Sequence, residues 1–235
     1  MPLPFFYTDY ISSSDNIVVL NEDNSKHIVQ VLRMQNGKQL KLTDGVGNIL
    51  LAEITDAHKK KCTVKIIERT NYEKPVNKIC IAISPVKNNS RLEWFLEKAT
   101  EIGVSEIVLL MCERTEKQHI RMDRMKGILI SAMLQSQQAW LPILDEPKKY
   151  SEYIKSVNTE NKFIAHCEEN KKTSLKQIVK NNTGQSTILI GPEGDFTPQE
   201  IELALENNFT AVALGDTRLR TETAALVATT LLCVQ

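Results

Sequence analysis

Neither sign of charge is in excess in this sequence: 29 lysines and arginines stand against 29 aspartates and glutamates over 235 residues. That balance excludes a global basic field that would gather RNA non-specifically, and leaves only a local patch for such contacts. The five cysteines, Cys62, Cys80, Cys112, Cys167 and Cys233, include no C-x-x-C pair. An odd, widely spaced set builds neither a disulfide framework nor a zinc site, so reduced and mostly buried thiols are expected. The four histidines, His27, His58, His119 and His166, show no ligand spacing either, and no metal is expected. The chain start lacks a charged segment followed by a long apolar run, and no stretch approaches transmembrane length, which predicts a cytoplasmic protein without a membrane segment. No internal repeat is visible. Gly45-Val46-Gly47 lacks the third glycine and the following helix of a dinucleotide loop, so it reads as a hairpin turn, and no phosphate-binding lysine points to ATP or GTP.

What is there has ordinary globular composition, 42% apolar and 25% charged, in a length that suits one large domain or two modest ones. Residues 39–43, 49–55 and 63–68 are β-rich and separated by turn signals, with further strand candidates at 5–7 and 17–20. Together they predict a small barrel, with a short helix over 24–34 that places Ile28, Val31 and Leu32 on one side. The polar stretch around Pro75 reads as a linker and divides the chain into 1–72 and 73–235. Beyond it, strand runs at 79–84, 107–111, 163–166 and 188–190 alternate with helical stretches at 90–102, 121–140 and 174–180. Ser90-Arg91-Leu92-Glu93 has the form of a capping box opening the first of these. The alternation predicts an α/β domain on a mainly parallel sheet covered on both faces.

Two loops carry the functional signal. The first is Ile190-Gly191-Pro192-Glu193-Gly194-Asp195-Phe196; the second runs Leu214-Gly215-Asp216-Thr217-Arg218-Leu219-Arg220-Thr221-Glu222-Thr223-Ala224. Each follows an apolar run of strand length and leads into a helix-like segment, so both read as loops at the carboxyl ends of neighbouring strands, where open α/β sheets hold ligands. After the first, Thr197-Pro198-Gln199-Glu200 combines an N-cap, a proline at the first helical position and a capping-box glutamate. The second sets Arg220 and Glu222 ahead of an apolar terminal helix, and charges in such surroundings need a partner or a ligand.

These loops resemble the cofactor-binding loops of the trefoil-knot (SPOUT) methyltransferases. More narrowly, they are similar to those of the bacterial 16S ribosomal RNA (uracil-N3)-methyltransferases, the RsmE family. The likeness covers nearly the whole chain: residues 27–34 and the Asp44-Gly45 turn resemble the family's PUA-like barrel, and Glu97-Lys98-Ala99-Thr100-Glu101-Ile102-Gly103-Val104 and Gln135-Ser136 its catalytic domain. The chain departs from the pattern where Leu134 and Gln138 flank that pair in place of glutamate and arginine. Asp195 replaces a second glycine, and an arginine falls at Arg218 in place of Thr217.

The resemblance implies a SPOUT trefoil-knot α/β domain at 73–235, preceded by a PUA-like RNA-binding β-barrel at 1–72. It further implies a homodimer that binds S-adenosylmethionine and methylates N3 of a uridine in 16S rRNA of the small ribosomal subunit. Cofactor contacts would come from Ile190, Gly191, Pro192, Glu193, Gly194, Leu214, Gly215, Leu219, Arg220, Thr221, Thr223 and Ala224. RNA contacts would come from Arg33, Lys98, Arg114, Gln135 and Ser136. Lys59 to Lys61 on the barrel, and Lys117, Arg121, Arg124 and Lys126, are further candidates for RNA, although most charges of segment 113–126, which also holds Glu113, Glu116 and Asp123, read as a solvated face.

A methyl on a sulfonium is already activated, so the enzyme must chiefly align the nucleophile and handle a proton. Uracil N3 is a poor nucleophile until deprotonated, and Arg220 is the candidate to favour the resulting anion. Glu222 is a candidate base, an orienting partner for Arg220, or an acceptor for the target base. Thr221 and Thr223 either bond the cofactor or cap the last helix. Two other functions stay open: a SPOUT methyltransferase acting on ribose 2′-O or guanine, and a non-catalytic rRNA-binding assembly protein.

Overall fold

The computed structural model describes residues 3–9, 11–12, 16–116, 119–168, 172–179 and 184–234; Lys117 and Lys180 lie outside them. The chain divides into two compact units, Met1–Lys74 with Met133–Leu141, and Pro75–Ala132 with Pro142–Gln235.

In the first unit, β1 (Phe5–Tyr7), β2 (Ile17–Val19), β3 (Gln39–Thr43), β4 (Asn48–Asp56) and β5 (Thr63–Asn71) form one mixed sheet in the order β1-β3-β4-β5-β2. Period-two alternation points Leu40, Leu42, Leu50, Ala52, Ile54 and Val64 to one face, where they are buried with Phe6 and Ile28. The β3–β4 hairpin turns at Asp44, whose Oδ1 accepts from the Val46 and Asn48 amides at 3.0 and 3.3 Å. Trp140 closes onto this turn, donating its Nε1–H to the Tyr72 and Glu73 carbonyls at 3.2 and 3.1 Å. This contact accounts for Met133–Leu141 grouping with the first unit. The expected helix over 24–34 is instead α1 (Glu22–Lys26) followed by a π-helical turn over His27–Val31. That wider turn buries Ile28 but leaves Val31 and Leu32 at 68% and 41% exposure, so the expected common face does not form.

The second unit holds a seven-stranded sheet, all parallel among its pairs: β6 (Ile79–Ile83), β7 (Glu106–Met111), β8 (Ile143–Lys149), β9 (Asn161–Ala165), β10 (Thr173–Ser174), β11 (Ser186–Ile190) and β12 (Thr210–Ala213). Its order is β10-β12-β9-β11-β6-β7-β8. Every residue of the central strands β6 and β11 is buried, as expected where helices cover both faces. Helices α2 (Asn89–Ile102), α3 (Met122–Gln135), α4 (Tyr150–Ser156), α5 (Leu175–Val179), α6 (Pro198–Glu206) and α7 (Thr221–Cys233) connect or follow the strands. The last part of α3 belongs to the first unit. Helix α7 packs against α2, β6 and β11, and so fixes the loop that precedes it.

Several local expectations are corrected. The box at Ser90 is unused: Asn88 caps α2 by accepting from the Ser90 amide, and Glu93 pairs with Arg124. Helix α3 stops at Gln135 rather than Trp140, because Gln137 adopts a left-handed φ of 56°. The Gln137 and Gln138 amides then return to the Leu134 and Met133 carbonyls in a Schellman ending. Strand β8 and helix α4 were not anticipated; Pro147 and the charges around it hide an edge strand, where proline is tolerated. Cys62, Cys80 and Cys112 are buried, Cys233 is partly buried and Cys167 is exposed. Burial pushes the Cys80 thiol up to about 12.

Candidate functional site

The two loops expected to meet do so, but over three strand ends rather than two. In the sheet β9 lies between β12 and β11, so its exit at Ala165–Cys167 forms the floor between the loops. A cleft opens there in two lobes that share Ala165, Cys167, Arg218, Leu219 and Ala224. One lobe, about 410 Å³, is lined by Ile190, Gly191, Pro192, Glu193 and Asp195 from the first loop, by Arg220 and Thr221 from the second, and by Arg91 of α2. The other, about 330 Å³, is lined by His166, Lys172, Val212, Ala213, Leu214, Gly215 and Thr217. Each lobe falls within the range of small-molecule sites, about 300–1,000 Å³.

The first loop is braced from every side. Phe196, 1% exposed, anchors its end beside Tyr150, with ring centroids 5.5 Å apart. The packing at Gly191 is close: a Cβ there would come within 3.1 Å of the Phe196 ring and 3.2 Å of its amide nitrogen, so Phe196 would have to give by a few tenths of an ångström. Asp195 takes φ 63°, the left-handed conformation that glycine adopts freely and aspartate tolerates. Its Oδ2 accepts from the Cys167 amide at 2.7 Å and its Oδ1 from the Phe196 amide at 2.9 Å, tying the loop to the exit of β9. Glu193 Oε1 accepts from the Lys87 amide at 2.9 Å. Arg114, a candidate for RNA contact, donates Nη1–H to the Gly194 carbonyl at 2.7 Å. Below the loop, the expected capping box of α6 is complete: the Glu200 amide donates to Thr197 Oγ1 and the Thr197 amide to Glu200 Oε2. Glu200 Oε1 also accepts from the Glu113 amide at 2.8 Å.

The second loop ends at Arg220, the N-cap of α7, without a side-chain cap bond, so Thr221 and Thr223 do not cap the helix. The first-turn amides of this 13-residue helix keep their positive polarity beside the cleft. Glu222 is 6% exposed, and its partner is not Arg220: Oε1 lies 3.6 Å from Nε of Arg91. Its Oε2 is buried without a hydrogen-bond partner. Arg91, Arg218, Arg220 and Lys172 thus bring cationic groups to the cleft walls. The carboxylates of Glu193, Asp195 and Glu222 are each engaged by amides or by Arg91. Against these four cations the lobes are lined by two carboxylates, Glu193 and Asp195, so a chain without net charge carries a local excess of positive charge.

Gly194 and Thr223 line neither lobe, and nor do Arg33, Lys98, Gln135 and Ser136. Lys98 is held by Glu97 and Glu101 at 2.7 and 3.0 Å. Arg33, Gln135 and Ser136 belong to the first unit, where Ser136 Oγ donates to the Met133 carbonyl. Sequence reasoning missed Arg91, Ala165, His166, Cys167 and Lys172. The strand run ending at His166 was the available signal, since its exit falls beside the loops. His166 is 8% exposed with Nδ1 unpartnered. Desolvation holds its pKa below the ordinary histidine value, and Lys172 adds to the effect. Among the described residues no group of three metal-ligating side chains comes together, and no helix is long and apolar enough to cross a membrane.

Comparison with known proteins agrees with this architecture. The RNA methyltransferase domain family matches residues 72–233, and the RNA methyltransferase PUA domain family matches residues 20–67. The ribosomal RNA small subunit methyltransferase E of Bacillus subtilis strain 168 is 30% identical over 216 residues, covering 86% of this chain and 84% of its own. A probable rRNA-methyltransferase from Porphyromonas gingivalis superposes with a TM-score of 0.90 at 40% identity, over 98% of both chains. The ribosomal RNA small subunit methyltransferase E of Neisseria gonorrhoeae, bound to S-adenosyl methionine, superposes with a TM-score of 0.84 at 31% identity, over 97% of this chain and 95% of its own. With a parallel α/β domain and a PUA unit both matched, the chain belongs to the ribosomal RNA small subunit methyltransferase E family of RNA methyltransferases.

Proposed function

We propose that this protein methylates N3 of a uridine in 16S rRNA of the small ribosomal subunit, with S-adenosylmethionine as donor. The observation that carries the reading is the single cleft in which the Ile190–Asp195 loop and the Leu214–Ala224 loop converge over the exit of β9. The cleft fits the cofactor on two counts. Nothing lies within 4 Å of the Cβ position of Gly215, so the backbone there is open to a ligand. His166, whose buried Nδ1 has no hydrogen-bond partner in the protein, lines the smaller lobe beside Gly215. Backbone of Ile190, Gly191, Pro192, Leu214, Gly215 and Leu219, with Thr221 and Ala224, would hold it. Glu193, Gly194 and Thr223 would act from behind, by shaping the loops.

When bound, S-adenosylmethionine supplies a methyl group on a positively charged sulfur, which keeps the carbon–sulfur electron pair as the methyl leaves. The protein must favour uracil without its N3 proton, which passes to solvent. Arg220, at the electropositive start of α7, is the residue we assign to the anion. Glu222, buried and engaged by Arg91, acts as an orienting carboxylate rather than a base. RNA would be gripped by the PUA unit, with Arg33, Gln135 and Ser136 as its contacts. Lys98 and Arg114 are given lesser weight, because each already serves a local partner. The homodimer rests on the family resemblance.

Nucleoside mass spectrometry of 16S rRNA from a deletion strain tests the reading. Loss of 3-methyluridine is expected; an unchanged level, with loss of a ribose or guanine methyl instead, overturns it. Arg220→Ala is expected to slow turnover by about a hundredfold while cofactor affinity stays within a few-fold, as when a donor to a developing anion is removed. Equal losses in both would assign Arg220 to cofactor holding.

A further inference from the structure

The anion of the proposed reaction has room for more than one donor. Deprotonated uracil spreads its charge over O2, N3 and O4, and the methyl must arrive at N3 in the ring plane, between the two oxygens. A guanidinium that forks across N3 and one oxygen would block the attacking lone pair. Donors placed on the oxygens leave that lone pair free, and O2 and O4 offer separate places for two of them.

Among the described residues, Arg91, Arg218 and Arg220 all line the larger lobe. Arg91 differs from the other two in having a buried carboxylate as its partner. It stands in the first turn of α2, and its Nε faces Oε1 of the buried Glu222 at 3.6 Å. This is its one side-chain partner among the described residues, so both terminal nitrogens remain available to a ligand. A charged donor already placed at the site before the substrate arrives is what electrostatic catalysis rewards. Glu222 Oε2, buried and unpartnered, offers a further acceptor should the guanidinium draw closer as the site fills.

Building on the uracil-N3 reading, we propose that Arg91 is a second catalytic donor, serving one carbonyl oxygen of the uracil anion while Arg220 serves the other. Glu222 is then the positioning residue for Arg91.

The test uses the full-length enzyme, small ribosomal subunits carrying either uridine or the more acidic 5-fluorouridine, and the variants Arg91→Gln, Arg91→Lys and Glu222→Gln. Arg91→Gln is expected to lower the methylation rate on uridine by about a hundredfold at neutral pH. Cofactor affinity by calorimetry stays unchanged. The loss should shrink on 5-fluorouridine, and the rise of rate with pH should move to higher pH, because the variant no longer favours the anion. Arg91→Lys should recover part of the rate, and Glu222→Gln should show a smaller defect of the same kind. A defect equal on both substrates and without a pH displacement overturns the assignment, as does a parallel loss of cofactor binding. Failure of the wild-type enzyme to methylate either substrate would instead overturn the uracil-N3 reading beneath it.

Discussion

At the scale of single residues, Asp195 shows how one side chain can hold a loop in place. The resemblance expects a second glycine there, and the observed φ of 63° shows why, since few side chains accept that backbone. Aspartate accepts it and gains amide bonds from Cys167 and Phe196 that glycine could not make. Asp195→Ala keeps neither the conformational ease nor the acceptors, and is expected to lower stability by about 1–3 kcal/mol in chemical denaturation. Asp195→Gly, which relaxes the backbone, should fall between alanine and wild type; an alanine variant as stable as wild type would refute the latch. His166 gives a pH dependence. Its folded pKa is lowered by burial from 6.5, so the neutral form is preferred in the native state. Its contribution is then complete above the unfolded pKa and is lost as pH falls through the lower folded value. The thermal midpoint of the wild type should drop more steeply below 6.5 than that of His166→Gln, and parallel curves would remove His166 as the cause.

At the scale of elements, α6 is the stage on which the first loop stands, and its start was legible because Thr197, Pro198 and Glu200 each favour the same local geometry. Thr197→Ala should cost about 1 kcal/mol through the lost cap. Glu200→Ala should cost more, because its second oxygen also holds the Glu113 amide, which no local pattern in the sequence indicates. Equal costs, measured by denaturant midpoints, would mean that the Glu113 bond contributes nothing. The same reasoning failed at Ser90 for a physical reason. Asn88 competes for the cap, and Glu93 finds a distant arginine at 124. Helix ends were hidden where glutamine rather than glycine takes the left-handed position, as at Gln137. The cleft itself was half visible: both loops could be read from glycines and charges. The exit of β9 between them, and Arg91 from α2, depend on strand order and helix packing, which periodicity does not encode.

At the scale of the whole molecule, every residue lining the cleft belongs to the second unit, whereas the PUA-family match falls in the first. Cofactor binding and RNA handling are therefore expected to be separable by a single substitution. Gly47 is the position that does so. It has φ 101°, and a Cβ there would lie 2.6 Å from the Trp140 ring and 2.7 Å from the Tyr72 carbonyl oxygen. Gly47→Ala is consequently strained in backbone and in space, at a cost above about 1 kcal/mol, and the strain falls on the contact that holds Met133–Leu141 to the first unit. With Trp94 replaced by phenylalanine, the remaining tryptophan reports on that contact directly. Its emission should shift to the red and become more accessible to a neutral quencher. If the first unit grips RNA, methylation of small subunits should fall through a raised KM, with cofactor affinity within about twofold of wild type. A variant that loses cofactor binding together with RNA methylation would show that the first unit supports the cleft itself, and would end the division of labour argued from the placement of these residues.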